Sequence, residues 1–206
     1  MADKHLYIIS GPNGAGKTTA SYTILPHILE CREFVNADEI ARGLSPFNPE
    51  SVAIEAGRLM LSRIKELLAH NETFSIETTL ATRSYFRLIE NARRQGYDIT
   101  LLYFWLNSPE LAERRVAERV SKGGHNIPTD IIHRRYYEGI RNLFEIYVPI
   151  VDTWIIADNS SLPREVIATG GIGTEPIITN TEKLNYIKQY VTTRTSTNGS
   201  SNCSRS

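Results

Sequence analysis

Glycines, a lysine and a threonine in the stretch SGPNGAGKTTAS are spaced as in a phosphate-binding loop. The pattern GxxxxGK(S/T) is met from Gly11 to Thr18, between an apolar run and a helix-like stretch. In such a loop the backbone N–H groups and the helix amino terminus face phosphate oxygens, Lys17 reaches the β- and γ-phosphates, and the Thr18 hydroxyl binds Mg²⁺. The stretch therefore predicts a site for ATP or GTP with Mg²⁺, whose nucleotide-binding residues are Gly11, Pro12, Asn13, Gly14, Ala15, Gly16, Lys17, Thr18 and Thr19.

A loop of this form leaves open an ABC-type motor, a GTPase switch or a kinase, beside a glycine-rich turn that only joins strand to helix. The form GPNGAGKTT is common in ABC-type ATPases, and WIIAD is similar to a Walker B strand. However, Asp158 is followed by Asn159, where an ABC domain carries a catalytic glutamate. The sequence has no NKxD-type guanine motif. A kinase requires a carboxylate that receives the proton of the substrate hydroxyl, a pocket for that substrate beside the γ-phosphate, and cations over the transferring phosphoryl group. The sequence offers candidates for all three.

Asp38 is the predicted general base or hydroxyl-orienting group. It lies in FVNADEIARG, just beyond the second predicted strand, and therefore at the sheet edge that carries the phosphate loop. A carboxylate there can receive the proton of an acceptor hydroxyl. The alternative is a cap for the helix EIARG, because aspartate is a favoured N-cap residue.

The end of the third predicted strand, FSIETT, adds candidate substrate contacts. Glu77 is expected to hold Mg²⁺ through water or to bind acceptor hydroxyls, and Thr78 and Thr79 are expected to hydrogen-bond the acceptor. The alternative is a polar strand end that leads into the next helix. Arg42 and Arg83 are candidates for pairing with an anionic acceptor, although single arginines are commonly solvated.

Cations cluster between residues 114 and 141, with six arginines and one lysine against three acidic residues. Arg115 and Arg119 share one face of a helix, and Arg134 and Arg135 lie in a second helix beyond the loop SKGGHNIPT. Arginine forks suit bidentate phosphate contacts. We therefore expect a short lid at about residues 120–130 whose arginines stabilise the transferring phosphoryl group and exclude water. The alternative is a solvated basic helix pair.

Strand-like and helix-like stretches alternate along the chain. The strand-like runs are HLYIIS, EFVNAD, TFSIET, DITLLYFWLN and TWIIAD. Asn48 before Pro49 and Ser108 before Pro109 mark two helix starts. The first of these helices has a predicted apolar stripe of Val52, Ala56, Leu59, Met60, Ile64, Leu67 and Leu68. The alternation predicts an α/β fold, a three-layer α/β/α sandwich with a parallel sheet. Beyond Asn159 the pattern weakens to an added strand or hairpin and a short closing helix.

Composition sets limits on the class of protein. A length of 206 residues with 41% hydrophobic content suffices for one core, so a single domain over residues 1–191 is expected. Basic and acidic residues number 23 each, so no overall charge attracts nucleic acid or an anionic membrane. No apolar run approaches the roughly 20 residues that span a bilayer. With only Cys31 and Cys203 as cysteines, a cytoplasmic protein is expected. Residues 192–206 are polar and predicted to be disordered.

Taken in order, GPNGAGKTT, FVNADEIARGL, FSIETTL and ERVSKGGHNIPTDIIHRRYYEGIRNL resemble the compact bacterial members of the zeta-toxin family. The similarity covers about residues 4–191. It implies a P-loop kinase with ATP and Mg²⁺ that phosphorylates the 3′-hydroxyl of the amino sugar in UDP-N-acetylglucosamine. By position, Asp38 would be the base and Glu77 would contact the sugar or the metal. The lid departs from that of the larger zeta toxins, so its arginines are assigned by region.

The resemblance also implies a toxin held inactive by a small antitoxin protein. Two other functions stay open on the residues alone. One is a kinase for a nucleoside, a nucleotide or a polynucleotide end, the last disfavoured by the neutral net charge. The other is a regulatory nucleotide-binding module or ATPase without transfer, in which Asp38 only caps a helix.

Overall fold

Within residues 4–124 and 126–192, which the computed structural model of this chain describes, seven strands form one sheet. The strands are β1 (His5–Ser10), β2 (Glu33–Val35), β3 (Phe74–Thr78), β4 (Asp98–Trp105), β5 (Thr153–Asp158), β6 (Glu165–Gly171) and β7 (Ile177–Ile178). Their order is β2-β3-β1-β4-β5-β6-β7. The first five strands are parallel, while β6 and β7 add an antiparallel edge.

Seven α-helices are found in the same described ranges. They are α1 (Lys17–His27), α2 (Ala37–Leu44), α3 (Ala53–Ala69), α4 (Tyr85–Arg94), α5 (Pro109–Ser121), α6 (Thr129–Asn142) and α7 (Thr181–Thr192). A 3₁₀ turn precedes α3, and a π-helical turn extends α6. Helical connections separate each of the first five strands from the next, as parallel strands require a crossover.

The central strand β1 positions the site. Leu6, Ile8 and Ile9 are fully buried, as expected for a parallel strand covered on both faces. Strand β1 pairs with β3 on one side and β4 on the other, and Ile9 lies opposite Glu77 in the β3 register. Because parallel strands end at the same sheet edge, Glu77 is brought beside the loop that follows Ser10.

The predicted α/β architecture with a parallel sheet is confirmed, and the stretch after Asn159 forms the β6–β7 pair and α7. Ser108 caps α5 as predicted, because its Oγ accepts a hydrogen bond from the Leu111 amide at 3.1 Å. Two details of the other helix were wrong. Asn48 precedes the 3₁₀ turn and makes no side-chain cap bond. Leu59 is 44% exposed, because it lies one residue before the buried Met60 and therefore about 100° around the helix.

Some predictions extend past the described residues. Helix α7 runs through Thr192, the first residue of the predicted disordered tail, and residues 193–206 lie outside the described ranges, as does His125 within the predicted lid. In the part of the chain that is described, no helix has the length and apolar character needed to cross a membrane.

Candidate active site

The loop between β1 and α1 has the backbone of a phosphate cradle. Gly11 has a φ of +139° and Gly16 a φ of +73°, conformations that L side chains rarely adopt. A Cβ atom on Gly11 would also collide with the carbonyl of Phe104 on β4. The Lys17 ammonium folds back over the loop, where Nζ donates to the Pro12 carbonyl at 3.0 Å. The loop and the start of α1 thus have the form that directs backbone N–H groups at an anion.

Glu77 is the centre of a buried polar cluster beside this loop. Its Oε2 accepts hydrogen bonds from Thr18 Oγ1 and from Asn36 Nδ2, both at 2.9 Å. Lys17 Nζ lies 3.8 Å from Oε1, and the two charged side chains are only 8% and 9% exposed. Burial is the main cause of both titration shifts, because it lowers the pKa of Lys17 and raises the pKa of Glu77.

The oxygens of Thr18 and Glu77 fit a magnesium ion. They are hard donors of the kind that Mg²⁺ prefers, and Mg²⁺ usually takes its other ligands from water and substrate phosphates. Among the described residues, no group of three or more His, Cys, Asp or Glu side chains could hold a metal by itself. Water and nucleotide phosphates are the usual further ligands of such an ion.

Asn36, and not Asp38, caps helix α2. Its Oδ1 accepts hydrogen bonds from the amides of Asp38 at 2.8 Å and Glu39 at 3.4 Å. The cap interpretation of Asp38 was therefore wrong. With the cap supplied by Asn36, the Asp38 carboxylate stands in the first turn of α2 and faces the pockets beside the phosphate loop.

Several pockets of the described residues adjoin at this edge of the sheet, and three of them, which Asp38 lines, take their names from their most distinctive lining. The P-loop pocket is lined by Asn13, Gly14, Gly16, Lys17, Thr18, Thr19, Asp38, Glu39, Arg42, Glu77, Arg115 and Arg119. The threonine pocket is lined by Asn13, Lys17, Asn36, Ala37, Asp38, Glu77, Thr78, Thr79, Ala81, Thr82, Tyr85 and Arg135. The alanine pocket is lined by Ala37, Asp38, Ala41, Arg42, Pro49, Glu50, Ala53, Arg119, Ile127 and Arg135. Among the described residues, Asp38 alone lines all three.

The four predicted lid arginines separate into different environments. Arg119 lines the P-loop and alanine pockets, and Arg135 lines the alanine and threonine pockets. Arg134 is exposed and lines none of the three. Arg115 borders the P-loop pocket, and its guanidinium donates to the carbonyls of Asn159 and Ser160, both at 2.8 Å, and to that of Gly14 in the phosphate loop at 3.5 Å. Arg134 and Arg135 differ because neighbouring residues of a helix point about 100° apart.

Of the other predicted substrate residues, some line these pockets and one does not. Thr78 and Thr79 line the threonine pocket, and the Thr78 hydroxyl accepts a hydrogen bond from the Leu80 amide at 3.0 Å. Arg42 lines the P-loop and alanine pockets, while its Nη1 pairs with Glu39 at 2.8 Å. Arg83 is exposed and lines none of the three pockets, because it lies past the turn that lines the threonine pocket. The structure thus places Arg83 outside the site.

Asp158, the end of the Walker B-like run WIIAD, does not contact the phosphate loop. Its carboxylate binds Lys183 Nζ at 2.6 Å, and its other oxygen accepts from the Ser160 amide at 2.8 Å. The carboxylate that reaches Thr18 is Glu77, on the strand next to β1.

A family model described as an AAA domain matches residues 6–136, more than half of the chain and all of the site from β1 to Arg135. The chain belongs to the AAA domain family. An uncharacterized protein of Haemophilus influenzae is 30% identical to this AAA domain protein over 126 residues, which are 61% of this chain and 88% of that protein.

Chains from two solved systems have similar structures. The complex of AvrRxo1-ORF1 and AvrRxo1-ORF2 with sulphate ions has a TM-score of 0.73 at 16% identity, over 90% of this chain and 63% of that chain. The same complex has also been solved with ATP. The PezAT chromosomal toxin–antitoxin system of Streptococcus pneumoniae has a TM-score of 0.64 at 16% identity, over 92% of this chain and 79% of that chain. This AAA domain protein thus shares the fold of these chains, and it spans less than two thirds of the AvrRxo1 chain that it matches.

Sequence reasoning missed three residues of this site. Asn36 was detectable, because an asparagine followed three positions later by Glu39 before an apolar stretch is a helix-start pattern. Tyr85 lines the threonine pocket, and burial raises its pKa, but nothing in the sequence distinguishes it from a core tyrosine. Asn159, the residue after β5, contacts the phosphate loop. Sequence reasoning could not find it, because the two residues in contact are more than 140 positions apart in the sequence.

Proposed function

We propose that this protein is an ATP-dependent phosphotransferase with an alcohol group as acceptor. The observation that carries the proposal is the position of Asp38, which lines the P-loop, threonine and alanine pockets. An acceptor hydroxyl placed between Asp38 and the γ-phosphate would have a proton acceptor and a phosphoryl donor on opposite sides. Residues 1–191 are taken as one kinase domain.

The donor half of the proposed site is the P-loop pocket. Backbone N–H groups of the loop and the amino end of α1 would bind the phosphates of ATP, and Lys17 would leave the Pro12 carbonyl to reach them. Thr18 and Glu77 would hold Mg²⁺. When bound, that ion neutralises charge on the β- and γ-phosphate oxygens. Glu77 would exchange its contacts with Thr18 and Lys17 for this role.

Transfer then needs one proton movement and one displacement. The acceptor oxygen attacks the γ-phosphorus, its proton passes to the Asp38 carboxylate, and the bond from the γ-phosphorus to the bridging oxygen breaks to release ADP. Arg119 and Arg135 are the pocket-lining cations that would stabilise charge on the transferred group. The α5–α6 connection, about residues 120–130, is the proposed lid.

For the acceptor, we propose UDP-N-acetylglucosamine, at its 3′-hydroxyl, on the resemblance to zeta toxins. The chemistry of the two remaining pockets supports a sugar nucleotide. The threonine pocket offers the side chains of Thr78, Thr79 and Thr82, which suit sugar hydroxyls. The alanine pocket combines small apolar side chains with arginines, which suit an anionic group beside a flat or apolar one. A toxin role with a small antitoxin partner is part of this proposal, and PezAT and AvrRxo1 are similar folds from paired systems.

The proposal is tested with labelled ATP, Mg²⁺ and a panel of UDP-sugars, nucleosides and polynucleotide ends, using the wild type beside Asp38→Asn. We expect transfer to a UDP-sugar, lowered by about a hundredfold or more in the variant, with the Kd for ATP unchanged. Transfer to a nucleoside or to a polynucleotide end would assign a different acceptor. ATP hydrolysis that is equal in the two proteins, with no acceptor modified, would overturn the phosphotransferase proposal.

A further inference from the structure

Asn159 joins the loop after β5 to the phosphate loop. Its side chain is buried, with 8% of the residue exposed. The Nδ2 group donates to the carbonyl of Ala15 at 2.7 Å, and Oδ1 accepts from Arg164 Nε at 2.9 Å. Arg164 in turn lies over the ring of Phe104 on β4, the residue whose carbonyl lies against Gly11. Both ends of the amide are therefore used, and its orientation is set by its partners.

The backbone of Asn159 is held as firmly as its side chain. The amide donates to the carbonyl of Trp105 at 2.9 Å, which continues the β4–β5 pairing by one residue. The carbonyl accepts from Arg115 Nη1 at 2.8 Å, while Arg115 Nη2 binds the next carbonyl, that of Ser160, at 2.8 Å. A planar guanidinium that bridges two successive carbonyls fixes the angle between helix α5 and this loop.

The contact with Ala15 bears directly on phosphate binding. A trans peptide is planar, so the Ala15 carbonyl and the Gly16 N–H point in opposite directions. When Asn159 holds the carbonyl on one side of the loop, the N–H of Gly16 must face the other side. Gly16 lines the P-loop pocket, so this is the side on which phosphates would bind.

The contact with Arg115 bears on the lid. Arg119 lies four residues further along α5 and hence on the same helix face, one turn closer to the lid. Anchoring Arg115 to the loop after β5 therefore also sets where Arg119 enters the P-loop and alanine pockets.

We propose that Asn159 is a positioning residue that aligns the phosphate loop and the arginine-bearing helix α5 with one another. This inference rests on the proposed function, since it concerns how the donor phosphates are held. It also changes the role of Arg115, which donates to the backbone carbonyls of Gly14, Asn159 and Ser160. Arg115 therefore acts through Arg119 and the loop and not as a phosphate ligand.

The test compares Asn159→Ala with Asp158→Asn. Asp158 is the adjacent residue, is equally buried and is bound to Lys183, so its variant loses a buried contact without touching the phosphate loop. Amide hydrogen exchange of residues 13–17 is measured without nucleotide, and the Kd for ATP is measured by calorimetry. We expect Asn159→Ala to exchange these amides about tenfold faster and to bind ATP about tenfold more weakly. Asp158→Asn should do neither, even where it lowers the melting temperature.

Asn159→Asp provides a second variant of the same size, which keeps the acceptor for Arg164 and removes the donor to Ala15. It should raise amide exchange at residues 13–17 as Asn159→Ala does. Wild-type exchange rates in both Asn159 variants would overturn the inference, whatever the enzyme does with ATP. Faster exchange in a protein that binds no nucleotide would support the positioning role and refute the proposed function instead.

Discussion

The Thr18 hydroxyl lies against the carboxylate of Glu77, with Oγ1 3.1 Å from Oε1 and 2.9 Å from Oε2. The two residues are 59 positions apart in the sequence. They meet because β3 is the parallel neighbour of β1, so Glu77 near the end of β3 lies beside the start of helix α1, which follows β1 and carries Thr18. The two proposed Mg²⁺ ligands are thus already in contact before any nucleotide binds.

Magnesium dependence tests this pair. Because burial raises the pKa of Glu77, protons compete with Mg²⁺ at a higher pH than for an ordinary glutamate. We expect Mg²⁺ affinity in the presence of ATP to fall as the pH is lowered into that raised range. Glu77→Gln should weaken Mg²⁺ binding by at least about tenfold and remove most of its pH dependence. Calorimetric titrations of Mg²⁺ between pH 5 and pH 8 measure both quantities, and an unchanged pH dependence in the variant would contradict the role of Glu77.

Stability should depend on pH through the same residue. A raised pKa in the folded state means that the folded protein holds the proton of Glu77 more tightly than the unfolded chain does. Its contribution is complete below the ordinary glutamate pKa and is lost as the pH rises through the raised value. As the pH rises, the free energy of unfolding of Glu77→Gln should therefore increase relative to that of the wild type. Urea unfolding of both proteins at several pH values measures the difference between their unfolding free energies. A difference that does not change with pH would contradict the raised pKa of Glu77.

The adjacent arginines of α6 form a matched pair. Arg135 lines two pockets beside Asp38, whereas Arg134 is exposed. Arg135→Gln should lower the transfer rate by about a hundredfold, the usual effect of losing one donor to a developing charge. Arg134→Gln should stay within about twofold of the wild type. Steady-state phosphotransfer assays distinguish the two, and equal effects would indicate that the basic helix pair acts only through its general charge.

Asn36 combines a helix cap with a contact to Glu77, and the two roles can be separated. Asn36→Ala should lose about 1 kcal/mol of stability and about 2–4 °C in Tm, and should also weaken Mg²⁺ binding. Ser108→Ala removes a comparable cap from α5, so it should lose similar stability with no change in Mg²⁺ binding. Thermal unfolding and Mg²⁺ titration of both variants provide the comparison. An Mg²⁺ affinity lowered equally in both would assign the effect to stability alone.

Gly139 allows helix α6 to approach the threonine pocket closely. A Cβ atom there would lie 2.5 Å from the carbonyl of Thr79. Gly139→Ala should therefore destabilise the protein by about 1–3 kcal/mol. Gly57→Ala is the control, since a Cβ on that helical glycine meets no atom within 4 Å. It should stabilise by about 0.4–1 kcal/mol. Denaturant unfolding measures both, and stabilisation in both variants would contradict the close approach.

Local sequence was sufficient for the parts of this protein that depend on neighbouring residues. The phosphate loop, the alternation of strands and helices and the Ser108 cap follow from spacing and backbone preferences over a few positions. Cap assignment was less secure where several polar residues adjoin, as in VNADE, because Asn36 and Asp38 are both good caps. Only the observed hydrogen bonds assign the cap to Asn36 and leave Asp38 facing the pockets.

The sequence by itself thus determined a phosphate-loop pattern between a strand and a helix, because that pattern depends on residues only a few positions apart. Only the tertiary structure decided which charged residues serve it. Glu77 reaches Thr18, Asn159 reaches Ala15, and Arg135 but not Arg134 faces the pockets. The physical reason is that these contacts depend on strand order and on the rotation of each helix about its axis, and a helix turned by one residue changes a side chain's direction by about 100°.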